Sequence, residues 1–230
     1  MKVIASLSVA TAMSISTFGQ GFVNLNFESA QNIPSVSNIG EYPVSVANAL
    51  PGWRIVPNNI YNLIMYTLDP QYQWDNSVVL VGGNLALSGN YSVHFSDESQ
   101  INQTAMVPGN AASLQFEAFN GSGTPRLTDF YLMLGGQSLS YELLHTGTVF
   151  NVYGANIPSY MDGQIETLEF GENGFSGIGL DNISFSTASV PEPSEGFLIN
   201  TGAVFFAFLR LIPMFRGRRP RNCIRECLKS

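Results

Sequence analysis

GIGLDNISFS, residues 177–186, is the stretch whose reading decides the fold. Its apolar side chains alternate with small and polar ones, the two-residue period of a strand that buries one face. Ile178 and Leu180 share one phase while Ile183 and Phe185 share the other, so the pattern slips by one residue at Asp181-Asn182. A β-bulge absorbs such a slip. It also re-aims a carboxylate and an amide at a strand end, a place suited to a cation.

Working outward, the same alternation recurs. Phe22, Val23, Leu25 and Phe27 stand against Asn24, Asn26 and Glu28; Tyr91, Val93 and Phe95 against Ser92, His94 and Ser96; Leu114, Phe116 and Ala118 against Gln115, Glu117 and Phe119. Further strands are predicted over 77–81, 129–134, 139–144, 148–153 and 164–170. Between them lie the breakers Pro51-Gly52, Gly82-Gly83, Ser88-Gly89-Asn90, Pro108-Gly109-Asn110, Gly121-Ser122-Gly123, Gly135-Gly136 and Gly171-Glu172-Asn173-Gly174. No helical pattern exceeds about two turns before residue 195. About nine or ten strands with such turns give an all-β, antiparallel β-sandwich of the jelly-roll kind. The sandwich is expected over residues 20–187. No fixed-period repeat is present, which argues against a propeller or solenoid.

Charge is distributed unevenly. Between Gln20 and Glu195 only Arg54 and Arg126 are basic, against sixteen acids, a net charge of about −14. Nucleic acid is bound by neutralising phosphates with Lys and Arg, so this body has no footprint for it. Both cysteines, Cys223 and Cys227, lie in the basic tail, and the body must be held by its core rather than by a disulfide.

The two ends read as processing segments. Residues 1–19 have a short positive start at Lys2, an apolar stretch from Val3 to Ile15 and a small-x-small site at Thr17-Phe18-Gly19, the pattern of a secretory signal peptide. Ala10-Thr11-Ala12 is a second such site. At the other end, residues 188–196 hold Val190-Pro191-Glu192-Pro193-Ser194, an extended hinge because each proline removes a donor and restricts its predecessor. Residues 197–215 form an apolar run about long enough to cross a hydrocarbon core of roughly 30 Å. Arg210 within it is expected to lie close enough to the arginine-rich end for its long side chain to reach the headgroups. Arg216, Arg218, Arg219 and Arg221, in the tail of residues 216–230, mark the cytoplasmic side by the positive-inside rule.

Together, Val-Pro-Glu-Pro-Ser, one membrane helix and a terminal arginine cluster resemble the PEP-CTERM sorting tail of Gram-negative bacteria. The resemblance implies export by the Sec machinery, anchoring in the inner membrane through the C-terminal helix, and recognition by an exosortase. It further implies that this enzyme would cleave near Pro191-Glu192-Pro193 and pass the body to the cell surface or extracellular matrix. "FVNLNFESA", "PGW" at residues 51–53, "SGNYSVHFS", "VPGNAASLQFEAF" and "GLDNISFS", in that order, are similar to the galactose-binding-like jelly rolls that often precede such tails.

Catalytic signatures are few. His94 and His145 are the only histidines, both read as solvated, and no nucleophile elbow, zinc-protease helix or phosphate loop is present. An exported non-enzymatic protein is therefore the first expectation. A secreted carbohydrate-binding module is the alternative, and a glycoside hydrolase with a distant carboxylate pair is a third. Glycan contact would fall on Tyr72 and Trp74, two apart in an extended loop, with an extracellular polysaccharide as partner; Trp53 reads as core. Jelly rolls of the resembled kind often hold one structural calcium between an early strand and the last. The resemblance puts Glu28 and Asp181 at that site, with Asn26 and Asn182 beside them, residues that offer the oxygens calcium prefers.

Overall fold

The computed structural model describes residues 21–35, 40–56, 62–68, 78–96, 98–120, 127, 129–174 and 177–191. The signal segment, Tyr72, Trp74, Glu192, Pro193, Ser194, the apolar run and the arginine tail lie outside the described residues. Among those described, no helix is long and apolar enough to cross a membrane.

Two sheets enclose one core. The larger carries, in spatial order, β1 (Glu41–Ser45), β3 (Leu63–Thr67), β4 (Val78–Gly82), β5 (Tyr91–Phe95), β13 (Ile178–Ser186), β7 (Ser113–Asn120), β11 (Asn151–Asn156) and β10 (Tyr141–Thr146). The smaller carries β2 (Arg54–Val56), β6 (Gln100–Met106), β12 (Ile165–Glu172), β8 (Phe130–Leu134) and β9 (Gln137–Ser138). A single helical turn, α1 (Val46–Ala49), follows β1, its first turn capped by the Ser45 hydroxyl, which accepts from the Asn48 N–H at 3.3 Å. This is the expected all-β sandwich, with one departure from a fully antiparallel arrangement: β3 and β4 pair in parallel.

Alternation fixes which residues face inward. On β7, Leu114, Phe116 and Ala118 are fully buried while Gln115, Glu117 and Phe119 point the other way. Phe116 of the larger sheet meets Phe170 of the smaller one with ring centroids 5.5 Å apart, edge to face. Phe130, Tyr141 and Tyr153 complete that aromatic cluster, each within 6.0 Å of a neighbouring ring. Such edge and offset contacts add to the burial of area itself. Trp53, read as core, is indeed 4% exposed.

The slip in GIGLDNISFS is a bulge. The pairing of β13 with β7 shifts register between Asp181 and Ser184, and Asn182 sits at φ 43°, in the left-handed region that Asn tolerates better than most residues. Leu180 and Ile183, on either side of the slip, both reach the core because of it.

The first predicted strand is not one. Residues 21–30 make only an isolated bridge between Gly21 and Met106, and Asn24 and Phe27 take φ values of 51° and 55°, which end any pleat. The apolar residues there are anchors of a docked loop: Phe27 is fully buried against Trp53, and Phe22 stacks on Phe185 at 5.3 Å. Val23 obtains its strand-like hydrogen bonds from a side chain, donating to Gln103 Oε1 at 2.6 Å and accepting from Gln103 Nε2 at 3.0 Å.

His94 is also corrected. It is 3% exposed, because the second face of the larger sheet is covered around β4, β5 and β13, where Val79, Val81 and Ser92 are buried as well. A side chain on the facing Gly179 would put a Cβ 2.9 Å from His94 Nε2 and 3.2 Å from Leu87 Cδ1, so glycine keeps that layer closed. Burial drives the imidazole pKa down to about 4, and His94 is neutral at physiological pH.

The compact body runs to Val190. Asn156, at the end of β11, clamps that residue by accepting from its N–H at 2.7 Å and donating Nδ2–H to its carbonyl at 3.2 Å. Val190 is buried and Pro191 exposed, so the first three residues of the expected hinge, 188–190, belong to the compact body.

Candidate functional site

Two places carry unusual chemistry. The first gathers the four residues predicted for calcium at the junction of the docked loop, the bulge and the turn before β5. Glu28 Oε1 accepts from the N–H groups of Asn90 at 2.6 Å and Tyr91 at 3.0 Å, and its Oε2 from Asn90 Nδ2 at 2.8 Å. Asp181 Oδ2 accepts from the Ser88 N–H at 3.0 Å and Oδ1 from the Asn182 N–H at 2.7 Å. Asn26 Oδ1 bonds the Glu28 N–H at 3.4 Å.

Burial pushes the Asp181 carboxyl up to about 7. The Asn182 and Ser88 amides pull it down, and the charges of Glu117 and Glu28 raise it further. Glu117 is also raised by burial, a hydrogen bond from Asn182 opposing, and its Oε2 is buried without a partner. Three acids thus influence one another at this junction, but no group of three His, Cys, Asp or Glu converges closely enough to hold a metal among the described residues. The oxygens of Glu28 and Asp181 face N–H groups, whose positive ends oppose a cation. What the geometry does build is a fastener for the docked loop.

Gly89 lies under that fastener at φ +61°, and a Cβ there would stand 2.3 Å from Glu28 Oε1. Gly89→Ala is expected to cost roughly 1–2 kcal/mol in backbone strain alone. It should also release Glu28, seen as faster hydrogen exchange at the Tyr91 amide with the core amides of β7 unchanged.

The second place is the outer face of the smaller sheet, which sequence reasoning did not select. Pairing register aligns Arg54 with Asn102, Asn102 with Glu169, and Glu169 with Met133, and in the next row Val56 with Gln100, Gln100 with Gly171, and Gly171 with Tyr131. Thr104 and Thr167 make a third row, their hydroxyls 2.8 Å apart. Gly171 has no side chain, and the Tyr131 ring lies across it; a Cβ there would sit 2.5 Å from Tyr131 Cζ. The phenol donates to Gln100 Oε1. Burial, then the charge of Glu169 and a hydrogen bond to it, push the Tyr131 pKa up to about 12, so the ring keeps its proton.

A cavity of about 790 Å³ continues this face past its edge strand β2. Arg54 and Asn102 border it together with Asn62 and the wall of Val46, Trp53 and Val56. That volume lies within the range of roughly 300–1,000 Å³ typical of small-molecule sites. The place therefore combines a half-exposed aromatic ring, a row of amides and hydroxyls, one carboxylate and one guanidinium. Such a set suits a neutral, hydroxyl-rich molecule laid along the sheet. The sequence signal for it was present but faint: QINQTAM repeats a polar residue at every second position through Gln100, Asn102 and Thr104.

The chain matches no known family profile and no curated protein sequence. Among solved structures it is similar to TmCBM61 in complex with β-1,4-galactotriose, at 12% identity and a TM-score of 0.33, over 73% of this chain and 98% of that one. It is also similar to the family 11 carbohydrate-binding module of the cellulosomal cellulase Lic26A-Cel5E of Clostridium thermocellum, at 10% identity and a TM-score of 0.31, over 68% of this chain and 99% of that one. With superpositions this loose, the sandwich architecture rests on the strand pairings themselves.

Proposed function

We propose that the protein is an exported, non-enzymatic polysaccharide-binding protein that holds glycan on the outer face of its smaller sheet. The observation that carries this reading is Tyr131, laid across Gly171 between Gln100 and Glu169. A pyranose presents C–H groups to an aromatic ring and hydroxyls to the amides and carboxylate around it. Among the described residues Glu169 is the only acid aligned on this face, which leaves it without the paired carboxylates that glycoside hydrolysis uses. The signal segment and the Pro-Glu-Pro tail support delivery through Sec and exosortase-type processing to the cell surface or matrix, where polysaccharide is at hand. Tyr72 and Trp74 stay proposed as a further contact for the same glycan. A calcium ion at the Glu28 and Asp181 junction is a separate proposal: the buried Glu117 oxygen without a partner supports it, and the ion would have to displace the N–H groups from which Glu28 and Asp181 accept.

The test is retardation of the protein in native gels containing soluble neutral and acidic polysaccharides. At least one should retard it, and Tyr131→Ala should weaken that interaction about tenfold, equivalent to ~1.4 kcal/mol. Failure of every polysaccharide to retard the wild type removes the proposal, and release of reducing sugar removes its non-enzymatic part.

A further inference from the structure

Arg54 is the only Arg or Lys among the described residues, in a body with sixteen acids. Surrounded by so much negative charge, a surface arginine is expected to be taken up by a nearby carboxylate. Instead it is exposed on edge strand β2, and no acid is in ion-pair contact with it among the described residues. Its nearest acid in the sheet is Glu169, two strands away with Asn102 between, which is roughly 10 Å at ordinary strand spacing. Arg54 borders the cavity where the polar face runs into it, and Asn62 and Asn102 line the same cavity.

We propose that this cavity reads the carboxylate of an acidic sugar, so that the glycan bound is a uronic-acid-containing polysaccharide. The proposal rests on the glycan-binding reading of the same face and specifies its ligand. A guanidinium fork matches a carboxylate with two parallel N–H bonds, and the flanking amides supply donors for the neighbouring ring oxygens. Glu169 gives the face a direction. Next to it an anionic sugar is repelled, so the acidic unit lies at the β2 end and a neutral or turned-away unit lies over Tyr131. Three strand spacings, roughly 14 Å, separate β2 from β8, which makes the ligand an oligosaccharide and not a single sugar. Elsewhere the body's net negative charge repels a polyanion, which favours binding at Arg54, the one arginine or lysine among the described residues.

The experiment is titration calorimetry of the whole protein with oligogalacturonate and with its fully methyl-esterified form, at low and high salt. The free acid should bind about tenfold or more tighter than the ester, the scale of one charge-assisted pair, and salt should erode that preference. Arg54→Gln should bring the acid-to-ester ratio close to one, and Arg54→Lys should recover only part of it, because an ammonium lacks the fork. Equal affinity for acid and ester in the wild type, or a ratio that Arg54→Gln leaves unmoved, overturns the uronate assignment. In that case binding of neutral polysaccharide that still depends on Tyr131 keeps the glycan reading intact, whereas no binding of any polysaccharide removes both.

Discussion

Phe116→Ala is expected to lower the unfolding free energy by about 3–5 kcal/mol, measured by denaturant titration. Phe116 is fully buried and touches Phe130, Tyr141, Tyr153 and Phe170 with centroid separations of 5.5–5.8 Å, so truncation empties the meeting point of both sheets. The surrounding rings are rigid and cannot collapse into the hole, which places the cost at the upper part of the range. Against a total stability of about 5–15 kcal/mol, this loss decides whether the body stays folded at physiological temperature. Phe119, on the same strand in the opposite phase, is the control. Its truncation should cost much less, and equal losses at the two positions would show that the inward phase of β7 is misassigned.

Asp181→Asn should change the pH dependence of stability more than any other single substitution. The folded carboxyl titrates at about 7, pushed up chiefly by burial, while the unfolded one titrates near 3.8. The native state therefore holds a proton that the unfolded chain releases. Through this group, stability falls as pH rises from about 4 to about 7 and is level above that. Asparagine cannot titrate, so the stability difference, variant minus wild type, should climb toward the variant by up to about 1.4 kcal/mol per pH unit across that window. At low pH the variant should be the weaker protein, because its amide turns N–H groups toward the Ser88 or Asn182 N–H. A difference that is flat with pH would contradict the buried, proton-holding state of Asp181. Run in chelator and again in calcium, the same titration tests the ion: calcium that stabilises the wild type at neutral pH, but not Asp181→Asn, would show that the junction binds it.

Much of the fold was legible because its signals are local. The inward phases of β5, β7 and β13 follow from alternation alone, and a one-residue slip can be absorbed only by a bulge, so Asp181-Asn182 could be placed before any pairing was known. The docked loop at residues 21–30 was misread for the same reason. Its apolar residues recur every second position, but two left-handed residues turn that spacing into separate anchors, and φ is not written in hydrophobic pattern. β6 escaped notice because its buried phase includes Gln103, which looks solvent-facing until Val23 is seen to need a partner.

The outer face of the smaller sheet was hidden differently. Tyr131 sits in FYLML, where both phases are apolar and a surface aromatic cannot be told from a core one. Its meaning depends on Gly171, forty residues away, lying directly opposite it across the ladder. Arg54 was visible only as a rarity in the charge count. Pairing converts that rarity into a position.

The Asn156 clamp on Val190 has a mechanical consequence. Two hydrogen bonds from one side chain hold both polar groups of a single residue, so a pull entering at Pro191 cannot lengthen one without loading the other. The Ser113 hydroxyl, bonded to the Ala188 carbonyl at 2.7 Å, is the next restraint in line. A tether attached beyond Pro191 would thus spend its force on these short-range bonds at the rim before any reached the β13–β7 ladder, leaving the polar face on the other sheet undisturbed while the chain is under tension.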